Sequence, residues 1–158
     1  MNAGRILATV AFLAGAASLS AQTANQSVTF QVDAINQIAF AGSPSLVINT
    51  ATAGSNPTQA TAAATWAVTT NQTGAKITAS INLDMDAGLT LKVDVSAPAV
   101  GSGAGPKTLS TTAVDVVTGI TKLAQSGIAI GYSLDATPAA GVVSSTSRTV
   151  TYTITGGT

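Results

Sequence analysis

Arg148-Thr149-Val150-Thr151-Tyr152-Thr153-Ile154-Thr155 alternates without a break. Val150, Tyr152 and Ile154 fall on one side of an extended chain, and the threonines fall on the other. A period of two with β-branched and aromatic residues describes a strand with one dry and one wet face. The same period recurs upstream. Ile77, Ala79, Ile81 and Leu83 alternate with Lys76, Thr78, Ser80 and Asn82, and Leu89, Leu91, Val93 and Val95 with Thr90, Lys92, Asp94 and Ser96. Ile128, Ile130, Tyr132 and Leu134 alternate with Ala129, Gly131, Ser133 and Asp135. Turn chemistry separates these runs at Asn71-Gln72-Thr73-Gly74, at 84–88, at Ser126-Gly127 and at 138–141, and Gly101-Ser102-Gly103-Ala104-Gly105-Pro106 reads as a flexible loop. Weaker strands are expected at 45–49 and 113–121, and one at 65–70. Asn56-Pro57 ahead of an alanine-rich stretch also admits a short helix over 59–66. The expected fold is all-β: an antiparallel sandwich of the Ig-like or jelly-roll kind, with about eight strands and a long N-terminal strand extension.

Composition narrows the function. Alanine, threonine, serine and glycine make up more than half of the 158 residues. The chain has 6 basic and 6 acidic residues, and neither histidine nor cysteine. Every acid is an aspartate. Clustered Lys/Arg for phosphate contacts are missing, so no nucleic-acid partner is expected. Disulfide scaffolds, thiolate metal sites and Cys or His catalysis are excluded. Without histidine, no side chain titrates near neutrality unless strongly perturbed. No enzyme activity and no cofactor are expected.

Asp84 and Asp86 sit two apart in one turn, where they cannot face each other across a cleft as paired glycosidase carboxylates must. Asn82, Asp84, Asp86 and Gly88 approach a calcium loop, but the glycine is one place late and the chain has no glutamate to close the site. Trp66, Tyr132 and Tyr152 fall on apolar registers and read as core residues rather than sugar platforms. The threonine row of 149–155 reads as a polar strand face.

Residues 1–21 read as a secretory signal. Arg5 supplies the positive region, Ile6 to Leu19 the apolar stretch, and Ser18 to Ala21 the small residues for cleavage. The expectation is a secreted protein, extracellular or on the cell surface, with no membrane association after signal removal. Asn25 and Asn71 begin Asn-x-Ser/Thr triplets and are candidate glycan acceptors. The expected layout is a signal at 1–21, an N-terminal extension at 22–34 and a sandwich domain at 35–158.

The run from Ser27 to Ala41 is the feature with functional weight. It alternates for fifteen residues, about 50 Å at roughly 3.3 Å per residue. Ordinary strands reach about 20 Å. Either the strand bends near Asn36 and changes sheet, or its first half leaves its own domain and completes a neighbour's sheet, with Val28, Phe30, Val32 and Ala34 as the inserted side chains. Strand addition supplies main-chain hydrogen bonds and pockets for alternate side chains. Repeated head to tail, it makes a filament.

In layout the chain resembles secreted bacterial fibre subunits of the donor-strand pilin type. Residues 27–34 stand where the donor would be and 148–155 where the closing strand would be. It differs in having no cysteine and no glycine between residues 22 and 41. The resemblance implies a homopolymeric extracellular filament whose partner is another copy of itself, serving cell adhesion. The alternative expectation is a monomeric secreted or surface adhesin that binds a ligand at loops such as Gly101–Lys107.

Overall fold

A computed structural model describes residues 20–157. The expected export signal lies outside the described residues, apart from Ser20 and Ala21. Residues 20–32 form no helix or strand, and one compact unit runs from Asp33 onward.

That unit is all-β. Its strands are β1 (Asn36–Ala41), β2 (Ala60–Thr70), β3 (Ala75–Ile81), β4 (Leu89–Val95), β5 (Ser102–Gly103), β6 (Lys107–Thr108), β7 (Val114–Ile120), β8 (Leu123–Ala136) and β9 (Val150–Thr155). They form two antiparallel sheets, ordered β1-β2-β8-β4-β6 and β5-β7-β3-β9. The sandwich architecture is therefore as the alternation requires, with two-residue strands β5 and β6 added to the longer ones.

Facing rows fill the space between the sheets. Trp66, Val68, Leu91, Val93, Val95, Ile128 and Ile130 come from the five-stranded sheet, and Ile77, Ala79, Ile81, Val116, Val117 and Ile120 from the four-stranded one. All are buried, as interdigitating inner faces demand. The opposite registers stay wet. Lys76 pairs with Asp115 at 3.1 Å, and Lys92 with Asp135 at 2.9 Å. Lys92 and the Gln59 amide, 2.6 Å away, hold the Asp135 carboxyl below its ordinary pKa.

Four expectations are corrected. The helix over 59–66 does not form: β2 runs through it, because Ala62, Ala64 and Trp66 face inward at strand period while Thr61, Ala63 and Thr65 stay exposed. Ser126-Gly127 is not a turn. It lies inside the fourteen-residue β8, where pairing steps from Trp66 with Ile128 to Val68 with Gln125. The extra residue is a β-bulge, and Gly127 takes the left-handed φ of 67° that it needs. Residues 45–49 make no strand. The stretch 101–106 is not merely a loop: β5 within it edges one sheet and β6 directly after it edges the other, so the chain crosses between the sheets there and closes that side.

The expected long strand is also shorter in its paired part. Pairing begins at Asn36, opposite Thr70. The reason lies in the partner: β2 ends at Thr70 and the chain turns at Asn71. The Asn71 side chain takes over for one step, accepting from the Ile35 N–H at 2.8 Å and donating Nδ2–H to the Asp33 carbonyl at 2.7 Å. Residues 27–34 lie outside the named strands.

Candidate functional site

Two features stand out, and each is described by itself. The first is the segment before the sandwich. Val28, Phe30 and Val32 are 76%, 90% and 76% exposed. Ala34 is exposed as well, as is Asn25. Free in water, three large apolar side chains at period two have an unfavourable hydration that any dry partner would relieve.

The second is an open seam in the sandwich. The side carrying β5 and β6 is closed, but the side carrying β1 and β9 is not. Both are edge strands, and both keep inward rows that are only half-buried: Ile38 and Phe40 on β1, and Val150, Tyr152 and Ile154 on β9. At one end the seam widens into a cleft of ≈ 1200 Å³. Leu91, Tyr132 and Leu134 line it from the five-stranded sheet, and Val150 and Tyr152 from β9. The end of β8 at Leu134 and Ala136 lines it, and residues of the irregular stretches 44–51 and 143–148 complete the wall.

Backbone parity sharpens the seam. The Asn82 N–H donates to the Thr149 carbonyl at 3.1 Å, beside the register Ile81 with Val150. Antiparallel ladders alternate, so Thr151, Thr153 and Thr155 aim their amide groups at β3. Val150, Tyr152 and Ile154 aim theirs at the free edge. On β1 the Asn71 N–H donates to the Ile35 carbonyl at 3.3 Å, so Asn36, Ile38 and Phe40 likewise aim outward. Neither edge carries the lysine or proline that commonly protects open strands.

Aromatic rings hold the seam at one point. The Phe40 and Tyr152 rings stack with centroids 3.9 Å apart, and Phe40 also stacks on Trp66 at 6.1 Å. The Tyr132 and Tyr152 hydroxyls share a hydrogen bond of 2.7 Å. Burial pushes the Tyr132 phenol above its ordinary pKa, partly offset by the bond to Tyr152. Burial pushes Tyr152 well above it, and its bond to Tyr132 raises it further. An alkaline weakness follows. Above about pH 10 the unfolded chain releases these phenolic protons while the folded chain keeps them, so stability falls as pH rises. Melting temperature should stay level up to about pH 10 and drop beyond it. Tyr152→Phe should make that drop shallower in melts between pH 8 and 12, and an unchanged slope would contradict the account.

Arg148 stands at the cleft rim. Its guanidinium lies 3.5 Å from Asp86 and donates to the Ser147 carbonyl at 3.2 Å, while its buried Nε lacks a partner among the described residues. Asp84 faces elsewhere and accepts the Thr111 N–H at 2.6 Å. The two turn aspartates therefore serve different neighbours. They also lie on a crossing between sheets, because β3 and β4 belong to different ones. The Asn71 amide is committed at both ends to Ile35 and Asp33, so a glycan on Nδ2 would have to displace the Asp33 bond.

Sequence reading placed Tyr132, Tyr152 and Trp66 on inward registers, where they stand. It missed the seam, the cleft and the Phe40–Tyr152 stack, because strand alternation does not say which strands become edges. No helix among the described residues is long and apolar enough to cross a membrane. No protein-family model, curated protein or solved structure matches this chain.

Proposed function

We propose that this protein is the subunit of a homopolymeric extracellular filament, assembled by exchange of the N-terminal segment between neighbouring copies. The observation that carries the reading is the exposed alternating row Val28, Phe30 and Val32, which belongs to none of the named strands. An alternating segment of this kind gains a full ladder of backbone hydrogen bonds and a dry surface by joining another sheet. The open seam supports the reading from the receiving side. A head-to-tail contact between unlike surfaces does not close on itself, so one interaction repeated is a fibre. Export and adhesion belong to the same proposal: a low-charge, cysteine-free sandwich relies on packing and association for its stability.

The test is electron microscopy of two purified chains, one of residues 22–158 and one of residues 35–158. Filaments are expected from the first and monomers from the second. The truncation keeps all nine strands of the described residues, so the fold should survive it, which a melting curve of the shorter chain checks. Monomers from both would overturn the proposal and turn attention to ligands of the cleft.

A further inference from the structure

We infer that the cleft beside β9 is a binding site for a small amphiphilic carboxylate, one anionic head on an alkyl body, with Arg148 taking the head. The site stands whether or not the chain forms filaments.

Arg148 occupies a position where a charge is costly. Val150 and Tyr152 hold the inward register of β9, and Arg148 continues that register one step of two further back. Thr149 between them is still bonded to Asn82, so the alignment carries over. The Arg148 side chain is only 10% exposed and lines the cleft. A guanidinium in such a place needs acceptors for its N–H groups.

Its contacts leave one edge of the group uncommitted. Nη1 donates to the Ser147 carbonyl at 3.2 Å and to Thr146 Oγ1 at 3.4 Å. The Asp86 oxygen lies 3.5 Å from Nη2, beyond the roughly 2.7–2.9 Å of a charge-assisted hydrogen bond. Nε is buried without a partner among the described residues. Nε–H and one Nη2–H leave the planar group side by side, and such a fork takes both oxygens of a carboxylate. The Asp86 side chain is 61% exposed, so water screens both its hold on Arg148 and its repulsion of a second anion.

The rest of the wall sets the body of the ligand. Arg148 and Asp86 are the charged residues among the described lining. Leu46, Leu89, Leu134 and Val150 supply aliphatic surface from four different parts of the chain, and the Tyr132 and Tyr152 hydroxyls are bonded to each other. The volume of ≈ 1200 Å³ exceeds the roughly 300–1,000 Å³ of common ligand pockets, so an alkyl chain has room without moving the core. A bare inorganic anion would leave this aliphatic surface wet, and a neutral alkyl compound would leave the fork unfilled. One carboxylate on an apolar chain satisfies both.

The test is titration calorimetry of residues 22–158 with decanoate, octanoate, decanol and decylamine. Decanoate should bind once per chain and raise the melting temperature, as a ligand of the folded state does. Octanoate should bind roughly fifteenfold more weakly, the worth of two buried methylenes. Decanol should bind at least about tenfold more weakly than decanoate, because it cannot accept the charged fork, and decylamine more weakly still. Arg148→Met keeps the apolar stem and should bring decanoate down to the affinity of decanol, with decanol itself unchanged. Arg148→Lys keeps the charge without the fork and should fall between. If the Arg148 variants melt far below the parent, the four ligands on the parent chain decide alone. Decanoate binding no tighter than decanol would overturn the role of Arg148, as would parental decanoate affinity in Arg148→Met. Equal affinity for octanoate and decanoate would put the alkyl chain in water, and no binding at all would mean that the cleft takes no such ligand; either overturns the site.

Discussion

Phe30→Asp should abolish filaments while leaving the sandwich intact. Phe30 is almost fully exposed before assembly, so its replacement changes little in the isolated subunit: surface changes of this kind stay within about 0.5 kcal/mol. Assembly would bury it. Removing the phenyl ring forfeits roughly 1.5–3 kcal/mol of transfer free energy. A carboxylate in the same dry place costs several kcal/mol more, or must take up a proton. A combined loss above about 4 kcal/mol weakens each junction roughly a thousandfold. Because a fibre multiplies its junctions, length falls faster still. Sedimentation should show monomers, with a melting temperature unchanged from the truncated chain. Phe30→Leu keeps the apolar volume and should still polymerise. Filaments from Phe30→Asp that match the parent in length would mean that Phe30 does not enter a neighbour.

The legible part of this structure is local. Strand period, inward residues and most turns follow from pleat geometry, which each stretch of residues 75–96 or 148–155 expresses alone. Pairing is not local, and it decided the rest. The alanines of 60–64 favour a helix in isolation, but β8 offers a partner along their whole length, so they join β2. Ser126-Gly127 has turn chemistry, yet the left-handed glycine serves a bulge equally well. The run from 27 to 41 looks uniform, and the end of β2 at Thr70 decides where its sheet strand begins, at Asn36. For the candidate site, the alternating row Val28, Phe30 and Val32 was legible as a pattern, but its exposure was not, because that depends on where β2 ends. The seam was not, since edge status depends on the order of all nine strands.

Trp66→Ala should cost about 3–5 kcal/mol, the largest single loss expected in the sandwich. Trp66 is 1% exposed, at the point where three strands meet: it pairs with Phe40 on β1 and with Ile128 on β8, one step from the bulge. Its ring also supports Phe40, which in turn stacks on Tyr152 across the seam. Alanine would leave a cavity there that the two long strands cannot close, since their register is fixed on either side. Domains of this size hold about 5–15 kcal/mol in all, so roughly a fifth of the stability or more would go. The melting temperature should fall by on the order of 10 °C. Trp66→Phe should cost far less than that cavity. The indole Nε1–H is buried without a partner among the described residues, a state that itself costs about 1–3 kcal/mol. Phenylalanine removes the orphaned donor and keeps an aromatic face for Phe40, so the relief offsets much of the lost volume. Urea melts of the two variants separate the contributions: a Trp66→Phe loss as large as that of Trp66→Ala would show that the indole nitrogen is satisfied in solution.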